Sequence, residues 1–190
     1  MKDILLVVDY QKDFVDGALG FEKATILDEG IAKEIKKCWD NDGIVIFTYD
    51  THGYNYLETR EGKKLPVTHC IEGTEGWTLF GKVKEARDEG IAADKPYYEI
   101  RKDTFGSTGL MIAMANIKEI FGQELNIKVC GVVTNMCVIS NAVVVKATAP
   151  EANITILEYL CASNDESLHK KAIDVMDSMQ MDIKYFEDAE

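Results

Sequence analysis

The sequence predicts an α/β fold of three layers, a mostly parallel, Rossmann-like sheet of about six strands with helices on both faces. Three observations carry this expectation. Short apolar runs alternate along the chain with segments of helical periodicity. Runs such as Ile4-Leu5-Leu6-Val7-Val8 are continuously apolar, the mark of parallel strands covered on both sides. Finally, Asp9, Asp50 and Cys137 fall at or just beyond the carboxyl ends of such runs, where open parallel sheets bind ligands.

Residues 4–8 form the first expected strand and residues 24–39 a helix, with apolar side chains near helical spacing. Gly43 precedes a second strand over 44–49. Residues 50–76 are rich in glycine, charged and polar side chains, and a loop of that length inside a domain is usually functional or disordered. A short helix near 82–89, a short strand near 98–101 and a helix over 107–121 follow. The β-branched run 127–133 reads as a buried strand, and Thr134 or Asn135 is placed to cap the helix that runs to about residue 147. A strand over 154–161, a helix over 165–179 and a last short strand over 183–186 complete the pattern. No linker, repeat or low-complexity stretch interrupts it, so residues 1–190 read as one domain.

The composition is that of an ordinary soluble protein, 46% apolar and 28% charged. A net charge of −12 argues against nucleic-acid partners and against anionic membrane surfaces. The amino terminus turns acidic too soon for a signal peptide, and no apolar stretch approaches spanning length. Five cysteines without a CxxC pair suit a reducing cytoplasm better than a disulfide framework.

Cys137 is the candidate nucleophile. In the first turn of a helix, free N–H groups and the positive end of the helix dipole would favour its thiolate, although free cysteines are also among the most buried residue types. Asp9, at an apolar strand end, suits a general acid or base, while Asp13 suits a cap or turn. Lys102 could hold both by charge, with Arg101 as its competitor. Asp50 and His52 alternate along an extended segment and could share one cation, with His69 closing the same loop. Such ligands suit zinc, iron or manganese. His169, beside Lys170 and Lys171, reads as a solvated face residue.

Four segments together resemble the cysteine hydrolase (isochorismatase-like) superfamily, in particular its nicotinamidase/pyrazinamidase branch. They are Asp9-Tyr10-Gln11-Lys12-Asp13-Phe14, Asp50-Thr51-His52, Lys102-Asp103-Thr104-Phe105-Gly106-Ser107 and Gly131-Val132-Val133-Thr134-Asn135-Met136-Cys137-Val138. The resemblance implies an Asp9, Lys102, Cys137 triad that hydrolyses a small amide, nicotinamide first among them, through a thioester. It implies a cis peptide between Val132 and Val133, with the N–H groups of Val133 and Cys137 as the oxyanion hole. It implies a divalent metal, zinc foremost, on Asp50, His52 and His69, with Glu61 favoured over Glu58 as fourth ligand. Phe14 matches one wall of the substrate pocket. The stretch Leu65-Pro66-Val67-Thr68-His69 lacks the aromatic that usually precedes the last metal histidine, and Phe105 or Trp77 could stand in for it. A homo-oligomer, dimer or tetramer, is the assembly the resemblance implies. Two other readings are a metal-free relative acting on ureido, carbamoyl or vinyl-ether substrates, and a non-catalytic binding domain of the same fold.

Overall fold

The protein is described from a computed structural model that covers residues 1–186, so the last four residues of the expected 1–190 domain lie outside the described residues. Its strands are β1 (Lys2–Val8), β2 (Ile44–Asp50), β3 (Tyr97–Lys102), β4 (Leu125–Val132), β5 (Asn153–Ala162) and β6 (Asp182–Lys184). All neighbouring pairs run parallel, in the order β3-β2-β1-β4-β5-β6. The chain therefore winds outward from β1 in one direction and from β4 in the other. The crevice between β1 and β4 is the switch point, the place where such sheets bind ligands.

The helices are α1 (Lys12–Val15), α2 (Glu22–Ile26), α3 (Asp28–Asp40), α4 (Gly81–Ala92), α5 (Thr108–Phe121), α6 (Ile139–Thr148) and α7 (Glu166–Ser178). Alternate β1 residues feed two cores, because successive strand side chains point to opposite faces. Ile4, Leu6 and Val8 join α5, α6 and α7, while Leu5 and Val7 join the α1–α4 side.

The expected helix over 24–39 is divided at Leu27 into α2 and α3. At the start of α3, Asp28 turns its carboxylate away to accept the N–H groups of Lys82 and Val83, capping the first turn of α4 at 2.9 and 3.1 Å. Helix α1 had no counterpart among the expected elements. The caps of α5 and α7 are local: Ser107 Oγ accepts from Leu110 N at 3.2 Å, and Asp165 Oδ1 from Leu168 N at 2.9 Å.

At the switch point the backbones press together. Gly131 faces Val8 in the β1–β4 register with φ of 117°, and a Cβ there would lie well inside contact distance of the Val8 carbonyl. Only glycine fits both demands.

Candidate active site

Asp9, Asp50 and Lys102 stand at the carboxyl ends of β1, β2 and β3, and Cys137 just after β4. Lys102 pairs with Asp50 in the β2–β3 register and reaches across β2 toward β1. Its Nζ lies 2.6 Å from Asp9 Oδ2, 3.1 Å from Asp50 Oδ1 and 3.5 Å from Cys137 Sγ. Arg101 has the opposite parity. It is exposed, stacks over Trp77 with its guanidinium 5.1 Å from the ring and pairs with Glu72. Ile100 is buried and shares the parity of Lys102, which is the signal in the sequence that separates the two cations.

Asp9 is fully buried, and its Oδ1 accepts from Thr48 Oγ1 at 2.7 Å. Burial raises its pKa, against the pull of Lys102, and the nearby Asp50 charge raises it further. The ammonium stays charged: burial works to lower the Lys102 pKa, but the negative field of Asp9, Cys137 and Asp50 raises it on balance.

The Cys137 thiol does not behave as a helix N-terminus would suggest. Burial pushes it well above the usual thiol value and Asp9 adds to the rise, outweighing Lys102. The turn that carries it, Thr134–Val138, is wide: the Val133 carbonyl accepts from Met136 N at 3.0 Å and Val138 N at 3.2 Å, on either side of Cys137. Wide turns of this kind recur at functional sites. Neither Thr134 nor Asn135 caps it; their side chains bond His169 and Ser163 instead. The Val132–Val133 peptide is cis.

His169 is buried, contrary to the expectation of a solvated face. It opens the inward stripe of α7 that continues through Ala172, Ile173 and Met176. That helical spacing was the available signal, masked by the two lysines that follow.

Asp50 joins a second group. Its Oδ2 lies 3.0 Å from His52 Nε2 and 3.3 Å from His69 Nε2, and His52 Nε2 is 3.7 Å from Glu61 Oε1. One ligand atom from each of Asp50, His52, Glu61 and His69 falls within 4.8 Å of the others. His69 Nδ1 is 2.8 Å from the Val67 carbonyl, which can only accept. That contact fixes a ring proton on Nδ1 and faces Nε2 toward the cluster, where it can donate to Asp50 when protonated and offer a lone pair to a metal when not. Two imidazoles and two carboxylates suit zinc, iron or manganese, so the residues fit a divalent metal. Burial raises the Asp50 pKa, but hydrogen bonds from His52 and His69 and the Lys102 charge outweigh it and leave the carboxyl lowered. Burial and the Asp50 charge push Glu61 up. Glu58 is exposed, outside the cluster, on the 3-10 turn Tyr56–Glu58.

Three supporting side chains escaped the sequence reading. Gln11, fully buried, donates from Nε2 to the Asp50 and Trp77 carbonyls and accepts the Asp50 N–H at Oε1. Tyr56 packs against both histidine rings, 4.6 and 5.0 Å between centroids. Asn141 Nδ2 bonds the carbonyls of Cys137 and Phe105, while its Oδ1 takes the Ser107 N–H. Asp13 accepts the Ala18 N–H at 3.3 Å within its own turn, as expected, and also the distant Cys70 N–H at 2.7 Å, next to His69.

An open cleft of 740 Å³ lies over this region, walled by His52, Glu61, Leu65, Phe105 and Met136, with Arg60 and Lys64 also on its lining. Phe105 thus lines the cleft. Phe14 instead packs edge-on against His69, 5.5 Å between centroids, and Trp77 is not on the lining but donates its Nε1–H to Thr51, which is.

Residues 3–184 match the model of the isochorismatase domain. The chain belongs to the isochorismatase domain family. No curated protein matches it. Among solved structures, this isochorismatase-family chain resembles a nicotinamidase/pyrazinamidase of Bacillus subtilis, at 24% identity and a TM-score of 0.83 over 96% of this chain and 99% of that one. It also resembles a pyrazinamidase/nicotinamidase of Streptococcus mutans, at 25% identity and 0.83 over 96% and 100% of the two chains. A Pyrococcus horikoshii pyrazinamidase in complex with zinc follows, at 22% identity and 0.78 over 98% and 100%. No helix among the described residues is long and apolar enough to cross a membrane.

Proposed function

We propose that this isochorismatase-family protein is a metal-dependent amidohydrolase of the nicotinamidase type, acting on nicotinamide or a similar small carboxamide through Cys137. The observation that carries the reading is the position of Lys102 Nζ, within 3.5 Å of Asp9, Asp50 and Cys137 at once. A structural lysine gains nothing from a buried thiol, whereas a thiol that must become an anion gains a counter-charge.

The chemistry follows from these protonation preferences. The Asp9 carboxylate, made more basic by burial, accepts the Cys137 proton as sulfur attacks the amide carbonyl. Lys102 stabilises the developing thiolate. The oxygen of the tetrahedral intermediate is received by the N–H groups of Val133 and Cys137. A donor in that role lowers the barrier by roughly 3–4 kcal/mol. Asp9 returns its proton to the departing nitrogen, ammonia leaves, and water assisted by Asp9 hydrolyses the thioester to the acid. Asp50, His52, His69 and Glu61 would hold a divalent metal, zinc foremost, beside the cleft. A metal held there would supply Lewis-acid chemistry toward a ring nitrogen or water beside the cleft. The chain's own residues then position the substrate, with Phe105, Leu65 and Met136 as the apolar wall.

The test is ammonia release from nicotinamide by zinc-loaded protein, with Cys137→Ala as the folded, inactive control. Metal-loaded wild type that leaves nicotinamide and its analogues intact would sink the substrate assignment. The same reading carries a cytoplasmic dimer or tetramer, measured by sedimentation.

The missing aromatic before His69, where Leu65 lines the cleft, favours one second reading: a metal-free ureido or carbamoyl amidohydrolase. Elemental analysis separates the two, because that reading requires no stoichiometric metal and an unimpaired His52→Ala variant; Asp50 is unsuitable for the comparison because it also holds Lys102.

A further inference from the structure

We propose that His169 is a positioning residue for the nucleophile turn, anchoring Thr134 so that the Cys137 thiol is held against Asp9 and Lys102. The inference rests on the reading of Cys137 as the nucleophile and extends it to a residue outside the four motifs. Thr134 is fully buried and lies three residues before Cys137, at the first position of the wide turn. Its Oγ1 is 2.9 Å from His169 Nδ1, and His169 Nε2 is 3.0 Å from Glu158 Oε1 on β5. A carboxylate only accepts, so Nε2 carries a ring proton, and Nδ1 is left to bond the Thr134 hydroxyl, which can both donate and accept. The relay Glu158–His169–Thr134 therefore fixes both the ring and the hydroxyl rotor.

A second bond from the same corner acts on the next residue. Ser163 Oγ, just beyond β5, donates to Asn135 Oδ1 at 2.6 Å and accepts from Asp165 N, at the cap of α7, at 3.1 Å. On the far side of the turn, Asn141 holds the Cys137 carbonyl at 2.8 Å. The turn is thus gripped from α7 at its start and from α6 at its end, with Cys137 between. A histidine serving only the packing of α7 could bond any backbone carbonyl of the sheet. This one bonds a side chain of the turn that carries the sulfur.

The experiment compares His169→Leu, His169→Asn, Thr134→Val and Thr134→Ser in zinc-loaded full-length protein. It measures kcat and KM for nicotinamide, the rate of Cys137 alkylation by iodoacetamide, and Tm. Asparagine places an amide near the Nδ1 position, and serine keeps the hydroxyl. The expected result is a kcat lowered roughly tenfold or more in His169→Leu and Thr134→Val, with KM changed by less than about twofold. The double variant should be little worse than either single one, because both remove the same bond. Alkylation should slow in the same order, and His169→Asn and Thr134→Ser should recover most of both losses. Wild-type kcat and alkylation in folded His169→Leu or Thr134→Val would overturn the proposal, as would losses that His169→Asn and Thr134→Ser fail to recover. If wild type hydrolyses no carboxamide, the alkylation series decides alone. Slowed alkylation in the leucine and valine variants with recovery in the conservative ones upholds the positioning role while the amidase reading falls, and equal rates in wild type and every variant reject it.

Discussion

Asp50 gives one carboxylate oxygen to Lys102, at 3.1 Å, and turns the other toward His52 and His69. This single side chain joins the thiol group to the metal-binding cluster, so neither can be altered without the other. Its backbone is held in place by Gln11 on both N–H and C=O, so the bridge is rigid.

Asp50→Asn should therefore damage two properties together. Stoichiometric zinc should be lost on dialysis, and amide hydrolysis should fall by about two orders of magnitude, the range in which disturbed metal ligation costs activity. Elemental analysis and ammonia release on the same preparation check both.

Lys102→Met leaves Asp9 and Asp50 as buried carboxylates without their shared cation. Breaking a buried pair this way should cost about 3–5 kcal/mol in urea denaturation. Lys102→Arg should rescue little, because a planar guanidinium cannot take the place of a compact ammonium within reach of three partners. Methionine without measurable loss of stability would contradict the buried pairing.

The pH dependence of metal-stripped protein follows from His69. Burial lowers its pKa, but the hydrogen bond and charge of Asp50 and the Val67 carbonyl raise it above 6.5 on balance. A histidine whose folded value is raised contributes stability that is full below pH 6.5 and is lost as pH climbs through the folded value. Zinc acts with the opposite sign, since it binds the neutral ring. Between pH 6 and 8 (about that window), Tm without metal should fall and the Tm gain on adding zinc should grow. His69→Ala should flatten both trends.

Gly131→Ala tests the switch point. The added methyl would meet the Val8 carbonyl in a backbone conformation that only glycine adopts with ease. Destabilisation on the order of 3 kcal/mol is expected. Because Gly131 lies just before Val133 and Cys137, activity should fall even at temperatures where the variant stays folded.

Much of this was legible in the chain. Continuous apolar runs give parallel strands, and the rule that ligands sit beyond their carboxyl ends brought Asp9, Asp50 and Cys137 to one edge. The order of strands and the choice of side chains at that edge depend on packing. Parity with Ile100 is present in the chain, but only the pairing of β3 with β2 shows that this face is the inward one and so selects Lys102 over Arg101. Loop closure drew Glu61 near His52 and left Glu58 outside.

The sequence by itself determined the strand–helix succession and the residue types able to do chemistry. Those are properties of local pattern and side-chain inventory. Tertiary structure alone decided the raised pKa of Cys137, where burial overrides the helix end, and the partners that His169 meets in Thr134 and Glu158. Both depend on how much water the assembled layers exclude and on which charges they bring within a few ångströms, quantities that no local pattern encodes.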